Sequence, residues 1–278
     1  MHHLLMLFFS QNRRFSRFAV FLLTLLLAGW WNPAQAETAA TAPPQLTNLL
    51  AQINAAANKH DVNTVVQYYS QNFTNSDGLT RLTLEKALTQ LWQRYPNLKY
   101  QTQLQSWQQE GKVLVAETVT TITATQSLAN RNLVLNSTIK SRQRLQGTTV
   151  IQQEVLSERS QTSIGAKPPV VEVNLPQQVK TGQQYEFDAV VQKPLDKEYL
   201  LGAATEEPIK AERYLNPTSI DLELLSSGGL FKQGQAPAKP QSLWISGLLI
   251  GADGMTSITQ RLQVVDNNTT ANFISPQN

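Results

Sequence analysis

Residues 132–146 read NLVLNSTIKSRQRLQ. In an extended chain Leu133, Leu135, Ile139 and Leu145 fall on one side with Ser137, Ser141 and Gln143. Asn136, Thr138, Lys140, Arg142 and Arg144 fall on the other. A period of two with one apolar side is the pattern of a half-buried antiparallel strand. The neighbouring sequence extends it. Upstream, 113–125 is rich in Val, Thr and Ile, and Glu110-Gly111 turns into it from a further strand over 98–108. Downstream, Gly147 marks a turn into 148–157. Four strands in succession predict a meander.

Before the meander the period lengthens to that of a helix. Leu46, Leu49, Leu50, Ile53 and Ala57 recur at helical spacing until Asn58-Lys59-His60-Asp61 breaks the pattern. Asp61 is placed to cap a second helix carrying Val62, Val65, Val66 and Tyr69. After the polar loop 74–78, Thr83 can cap a third helix with Leu84, Leu88, Leu91, Trp92 and Tyr95 on one side, and Pro96 ends it. Three helices followed by a meander is an α+β order.

That order, with the charged break at 58–61, Tyr68-Tyr69-Ser70-Gln71-Asn72-Phe73, the Asp77-Gly78 loop and Leu82-Thr83-Leu84-Glu85, resembles the nuclear-transport-factor-2-like (SnoaL-like) superfamily over residues 45–160. The resemblance implies a cone: a curved antiparallel sheet wrapped on three helices, with a pocket at the open end.

Gly165-Ala166-Lys167-Pro168-Pro169 reads as a linker, and almost everything after it as strand. Tyr185, Phe187, Ala189 and Val191 alternate with Gln184, Glu186 and Asp188. Gly251-Ala252-Asp253-Gly254 is the turn of a C-terminal hairpin, and 209–214 is a candidate short strand. About seven strands in roughly 100 residues predict a β-sandwich. It resembles the immunoglobulin-like modules of bacterial envelope proteins, and lacks the Cys pair of true immunoglobulin domains. The expected fold class is therefore an α+β cone followed by an all-β immunoglobulin-like sandwich. The segments are 1–36 signal peptide, 37–44 tether, 45–164 cone, 165–169 linker, 170–266 sandwich and 267–278 polar tail.

Phe18 to Trp31 is apolar except for Thr24, follows Arg13, Arg14 and Arg17, and leads to Ala34-Gln35-Ala36. Basic, apolar and small-x-small regions in that order are those of a secretory signal peptide. The chain is thus expected to be exported, periplasmic or secreted, with no membrane span after cleavage. An uncleaved leader would make an N-terminal anchor. The formal charge of +3 belongs to this leader, because the remaining residues carry 20 basic and 20 acidic side chains. A neutral body argues against nucleic acid as a partner. With no Cys, thiolate metal sites, Cys nucleophiles and disulfides are excluded. His60 is the only histidine after the leader, and reads as a solvated turn residue. No metal or cofactor is expected.

Asp77 is the candidate catalytic residue. Enzymes of the resembled superfamily move protons beside a carbonyl with a buried carboxylate and an oxyanion donor, for which Tyr68, Tyr69, Tyr95 and Tyr100 are available. Asn75-Ser76-Asp77-Gly78 is equally an ordinary turn, which would tolerate Asp77→Asn. Tyr69, Phe73, Trp92, Tyr95 and Trp107 are candidate ligand-binding residues of an apolar pocket, or else the core. The leading functional expectation is a non-enzymatic module that binds a small apolar ligand or an envelope protein, with the sandwich as spacer. A small-molecule isomerase, dehydratase or cyclase using Asp77 is the alternative, and a homodimer through the sheet is a third possibility. Intact-mass analysis of protein secreted by its host checks the address: cleavage after Ala36 leaves Glu37 as the first residue, whereas the full-length mass contradicts it.

Overall fold

In the computed structural model the described residues are 36–128, 131–192, 199–216, 218–225 and 228–268. The expected leader, but for Ala36, and the tail beyond residue 268 lie outside them. The described residues from Glu37 onward form one compact unit.

The helices form where the periodicity places them. Helix α1 (Pro44–Asn58) starts on a proline at its first turn, where the missing N–H is no loss. It buries Leu46, Leu49, Leu50, Ala56 and Ala57, and the chain breaks at His60, which has a φ of 55°. Helix α2 (Val62–Gln67) is capped by Asp61, whose carboxylate accepts the Thr64 N–H at 3.0 Å. Helix α3 (Arg81–Arg94) is capped one turn earlier than the sequence suggested. Thr80 is its N-cap, and Thr80 and Thr83 accept each other's backbone N–H groups at 2.8 and 3.3 Å. His60 is not merely solvated: it stacks on Trp92, with ring centroids 5.2 Å apart.

The first strands are β1 (Glu37–Thr38), β2 (Tyr69–Asn75), β3 (Lys99–Glu110), β4 (Val113–Leu128), β5 (Arg131–Gln146) and β6 (Thr149–Gly165). There follow β7 (Val171–Asn174), β8 (Gln178–Lys180), β9 (Gln184–Val191), β10 (Leu200–Pro208), β11 (Glu223–Leu225), β12 (Gly229–Gln235), β13 (Gln241–Gly251) and β14 (Gly254–Val265). Residues 209–214 do not make the expected strand. They lead into a short helix, α4 (Ala211–Leu215).

The expected fold class, a separate α+β cone and immunoglobulin-like sandwich, is not what forms. The chain is mostly β, and one sheet of 11 strands runs through both halves in the order β1-β3-β4-β5-β6-β14-β13-β10-β11. Strands β2 and β8 join it as parallel partners of β6 and β14. The reason lies in β6. At 17 residues it is far longer than the usual ~5–6, and it changes partners along its length. Its first part pairs with β2 through Val150, Gln152 and Gln153. Its second part, Arg159 to Gly165, pairs antiparallel with β14 from Gln260 to Gly254. Gly165, with a φ of 118°, meets Gly254 at the end of this ladder. A Cβ on Gly165 would lie 2.3 Å from the Asp253 carbonyl oxygen, so the close approach requires glycine.

The layers on this sheet lie on opposite faces. In the first part the helices cover the face bearing Leu133, Leu135 and Leu145, making two apolar clusters. In the second part a three-stranded sheet, β12-β9-β7, covers the other face. There Phe187, Ala189 and Leu230 pack on Ile245, Leu249, Ile258 and Leu262. Burying each large aliphatic or aromatic side chain contributes about 1.5–3 kcal/mol. That core holds the two sheets together without a disulfide.

Tyr69 and Tyr100 pack against the helix-side clusters, and burial pushes both hydroxyls up to about 12 from the ordinary 10. A phenol whose folded pKa is raised contributes stability that is complete below the unfolded value and is lost as pH rises through the folded one. Urea midpoints are therefore expected to hold to pH 10 and fall between pH 10 and 12. A flat profile across that window would contradict this packing.

Candidate functional site

The fork where β6 leaves β2 and takes up β14 is held by side chains. Ser76, just past β2, donates its N–H to the Gln153 carbonyl at 2.9 Å and accepts the Val155 N–H on its Oγ at 3.1 Å. Gln263 donates its amide to the Leu156 carbonyl at 2.8 Å. These contacts satisfy backbone groups of β6 that would otherwise be unpaired between its partners.

Asp77 follows immediately. The turn expected over Asn75 to Gly78 is present: the Gly78 N–H reaches the Asn75 carbonyl at 3.0 Å, and Asn75 Oδ1 accepts the Asp77 N–H at 2.7 Å. Its side chain, however, points inward. The Arg261 guanidinium donates to Oδ1 at 2.9 Å and to Oδ2 at 2.7 Å, and the two side chains are 0% (Arg261) and 1% (Asp77) exposed. The Tyr214 hydroxyl donates to Oδ2 at 2.6 Å and Ser76 Oγ to Oδ1 at 3.2 Å. A carboxylate offers about four acceptor positions. Here four donors occupy them, and none is directed at a substrate proton.

The cluster continues through Glu158. Arg261 Nη2 donates to Glu158 Oε2 at 3.2 Å, and the Trp244 indole N–H reaches the same oxygen at 3.0 Å. The Tyr214 and Trp244 rings meet edge to face at 4.8 Å. Burial disfavours the guanidinium charge, but Asp77 and Glu158 outweigh it and hold the Arg261 pKa above its ordinary value. Burial, then the charges of Glu158 and Asp77, push the Tyr214 hydroxyl well above its ordinary value, so it stays a neutral donor.

Arg261 stands on the polar side of its strand with Thr259, and Trp244 is its direct cross-strand partner. Sequence reasoning missed both, and Tyr214 too. One signal was available: Arg261 is the only Lys or Arg after Lys239. The four tyrosines proposed as donors lie elsewhere.

The five predicted pocket residues divide between packed clusters. Phe73 and Trp107 pack with Leu46 and Leu49, and Trp92 and Tyr95 with Ala56 and Val65, while Tyr69 touches both groups. Tyr69 and Phe73 meet edge to face at 4.9 Å. The Trp92 indole donates to the Tyr100 hydroxyl at 2.8 Å, and the Trp107 indole to Thr41 Oγ1 at 3.2 Å. A cavity of about 360 Å³ lies elsewhere, lined by Asn174, Pro176, Gln184, Tyr185, Glu186 and Gln233. The row of Lys140, Arg142 and Arg144 is ion-paired with Glu117, Glu154 and Glu110 on the outer face. Such exposed pairs contribute about 0–1 kcal/mol each. Among the described residues no three His, Asp or Glu are grouped to hold a metal ion, and no helix is long and apolar enough to cross a membrane.

Comparisons with known proteins come to the following. Residues 166–265 match the family model described as "Domain of unknown function (DUF8623)". No curated protein matches the chain. Among solved structures, Bd1075 of Bdellovibrio bacteriovorus is similar at 15% identity and a TM-score of 0.29, over 40% of this chain. This chain covers 39% of it. A Nostoc punctiforme protein of unknown function with a cystatin-like fold is 14% identical, with a TM-score of 0.31, over 43% of this chain and 92% of its own. A nuclear-transport-factor-2-like protein of unknown function from Cytophaga hutchinsonii is 10% identical, with a TM-score of 0.24, over 41% and 91%. Other neighbours have SnoaL-like and ketosteroid-isomerase-like folds. The similarity is confined to about 40% of the chain.

Breaking a buried ion pair by removing one partner costs about 3–5 kcal/mol, and without Asp77 the Arg261 guanidinium keeps only its single bond to Glu158. Asp77→Ala is therefore expected to lower unfolding free energy by about that amount. Asp77→Asn should be nearly as damaging, where an ordinary turn would hardly respond. The double variant Asp77→Leu/Arg261→Met should cost less than the sum of the single changes. Urea unfolding checks all three, and additivity would refute the pairing.

Proposed function

We propose that this chain is an exported, non-enzymatic binding module of the cell envelope, whose two halves act as one rigid unit. One observation carries the reading: all the acceptor positions of Asp77 are taken by Arg261, Tyr214 and Ser76. A general base needs a lone pair aimed at the proton it removes. For Asp77 to serve, it would have to leave a guanidinium with no solvent to replace it. The leader at 1–36 supports export, to the periplasm or beyond. Packing of Tyr69, Phe73, Trp92, Tyr95 and Trp107 into apolar clusters supports a scaffold role for the first half. Its partner is then an envelope protein or a small molecule, and the second half is both spacer and binding surface.

Two measurements test this. Residues 37–278 incubated with a panel of ketones in deuterated water should give no exchange beside the carbonyl above the buffer rate. Exchange that disappears in Asp77→Asn would establish the rival isomerase-type chemistry. Native mass spectrometry of the protein taken from its own host should show a bound species, and a bare chain at native concentration would count against the binding role.

A further inference from the structure

The outer face of the β12-β9-β7 sheet has features its packing does not require. Its inner side chains, Val173, Phe187, Ala189 and Leu230 among them, make the core. Side chains of directly paired residues share a face. Gln233 pairs with Glu186, Phe231 with Asp188, and Asn174 with Asp188. These five therefore stand together on the side away from the core. Phe231 is 60% exposed, unusual for an aromatic side chain on a strand that also builds a core.

Gln233, two residues from Phe231 on β12, lines the cavity of about 360 Å³, within the ~300–1,000 Å³ range of small-ligand sites. Three of its six lining residues are the amides Asn174, Gln184 and Gln233, with a single carboxylate, Glu186. Phe231 and Gln233 are two apart on one strand, so their Cα atoms are separated by about 7 Å along it. The floor is fixed. Tyr185 pairs across the ladder with Gly234, and a Cβ there would come within 2.3 Å of its ring. The ring can cross the strand only because residue 234 is glycine. Its hydroxyl is anchored on Glu206 at 2.6 Å.

We propose that this face is a glycan-binding site, with Phe231 stacking on the C–H face of a sugar ring and the cavity amides engaging the hydroxyls of the next. Each amide presents donors and an acceptor in one plane, which suits vicinal hydroxyls that both donate and accept. A flat apolar platform next to amides fits a ligand with one C–H face and a hydroxylated rim. Glu172, Glu186 and Asp188 also lie on this face, so the competing occupant is a basic peptide. The amides inside the cavity favour the neutral, hydroxylated ligand. The site deepens the binding role proposed above and rests on it.

Calorimetric titration of residues 37–278 with cellohexaose and chitohexaose, at low and high salt, tests the site, with oligolysine as the competing probe. Binding of either hexasaccharide is expected, little changed by salt because no net charge is neutralised. Phe231→Ala and Gln233→Ala should each weaken it at least tenfold while melting temperatures stay near wild type. Binding of neither hexasaccharide would overturn the proposal, as would salt-sensitive binding of oligolysine alone, or affinity unchanged in both variants. Ketone exchange in the earlier assay would remove the non-enzymatic reading and leave any glycan binding standing. A missing glycan affinity would remove only this site.

Discussion

The structure depends on a guanidinium enclosed away from the surface. The Arg261 side chain is fully enclosed, and a cation of that kind is tolerated only where carboxylates stand within hydrogen-bond reach. Asp77 meets it with two bonds and Glu158 with a third. Asp77 comes from the turn after β2, Glu158 from the middle of β6 and Arg261 from β14, so the ion pair spans 184 positions of sequence. Tyr214 and Trp244 add two more segments. The pair also fixes register. Along β14, Thr259 and Arg261 face the helix side, while Ile258 and Leu262 face the core under the three-stranded sheet. A slip of one residue would drive the cation into that core and bring Ile258 and Leu262 out of it. The ladder between β6 and β14 thus has one setting that leaves no charge unpaired.

Much of the local structure was legible. The alternation of 132–146 is β5, the Asp61 cap is observed, and the glycine-flanked turn at 251–254 joins β13 to β14. These are decided by neighbours in sequence, through pleat, capping and turn chemistry. The arrangement was not legible, because it is decided by pairing between distant segments. Nothing in residues 149–165 marks where β6 exchanges β2 for β14. Two prolines after Gly165 read as a break, although the sheet continues across that point through Gly165 and Gly254. The short helix at 211–215 was misread as strand because five residues offer no period to distinguish the two.

The site was half legible for the same reason. Asp77 stood out as a carboxylate in a polar turn, and the turn is real. Its partner was hidden on the polar side of an alternating strand, where a charged residue ordinarily means solvent. There it meets Asp77, which is also held by Tyr214 from α4. Periodicity reports which side of a strand is polar. It does not report whether that side faces water or another polar group.

The two faces of the large sheet are used unequally, and that asymmetry bears on function. Helices occupy one face in the first half, and the small sheet occupies the opposite face in the second. The small sheet is therefore a layer with its inner side committed to Ile245, Leu249, Ile258 and Leu262, and its outer side covered by nothing among the described residues. A side chain on that outer side can change without disturbing the core, since alternate positions on a strand are structurally independent of one another. The charged fork is different, because each of its members answers to two or three others. Constraint concentrates at Asp77, Glu158, Tyr214, Trp244 and Arg261, and chemical freedom on the face that carries Phe231 and the cavity. A rigid interior and a free, shaped exterior are the division the proposed binding module would require, with the interior holding an exposed face in place.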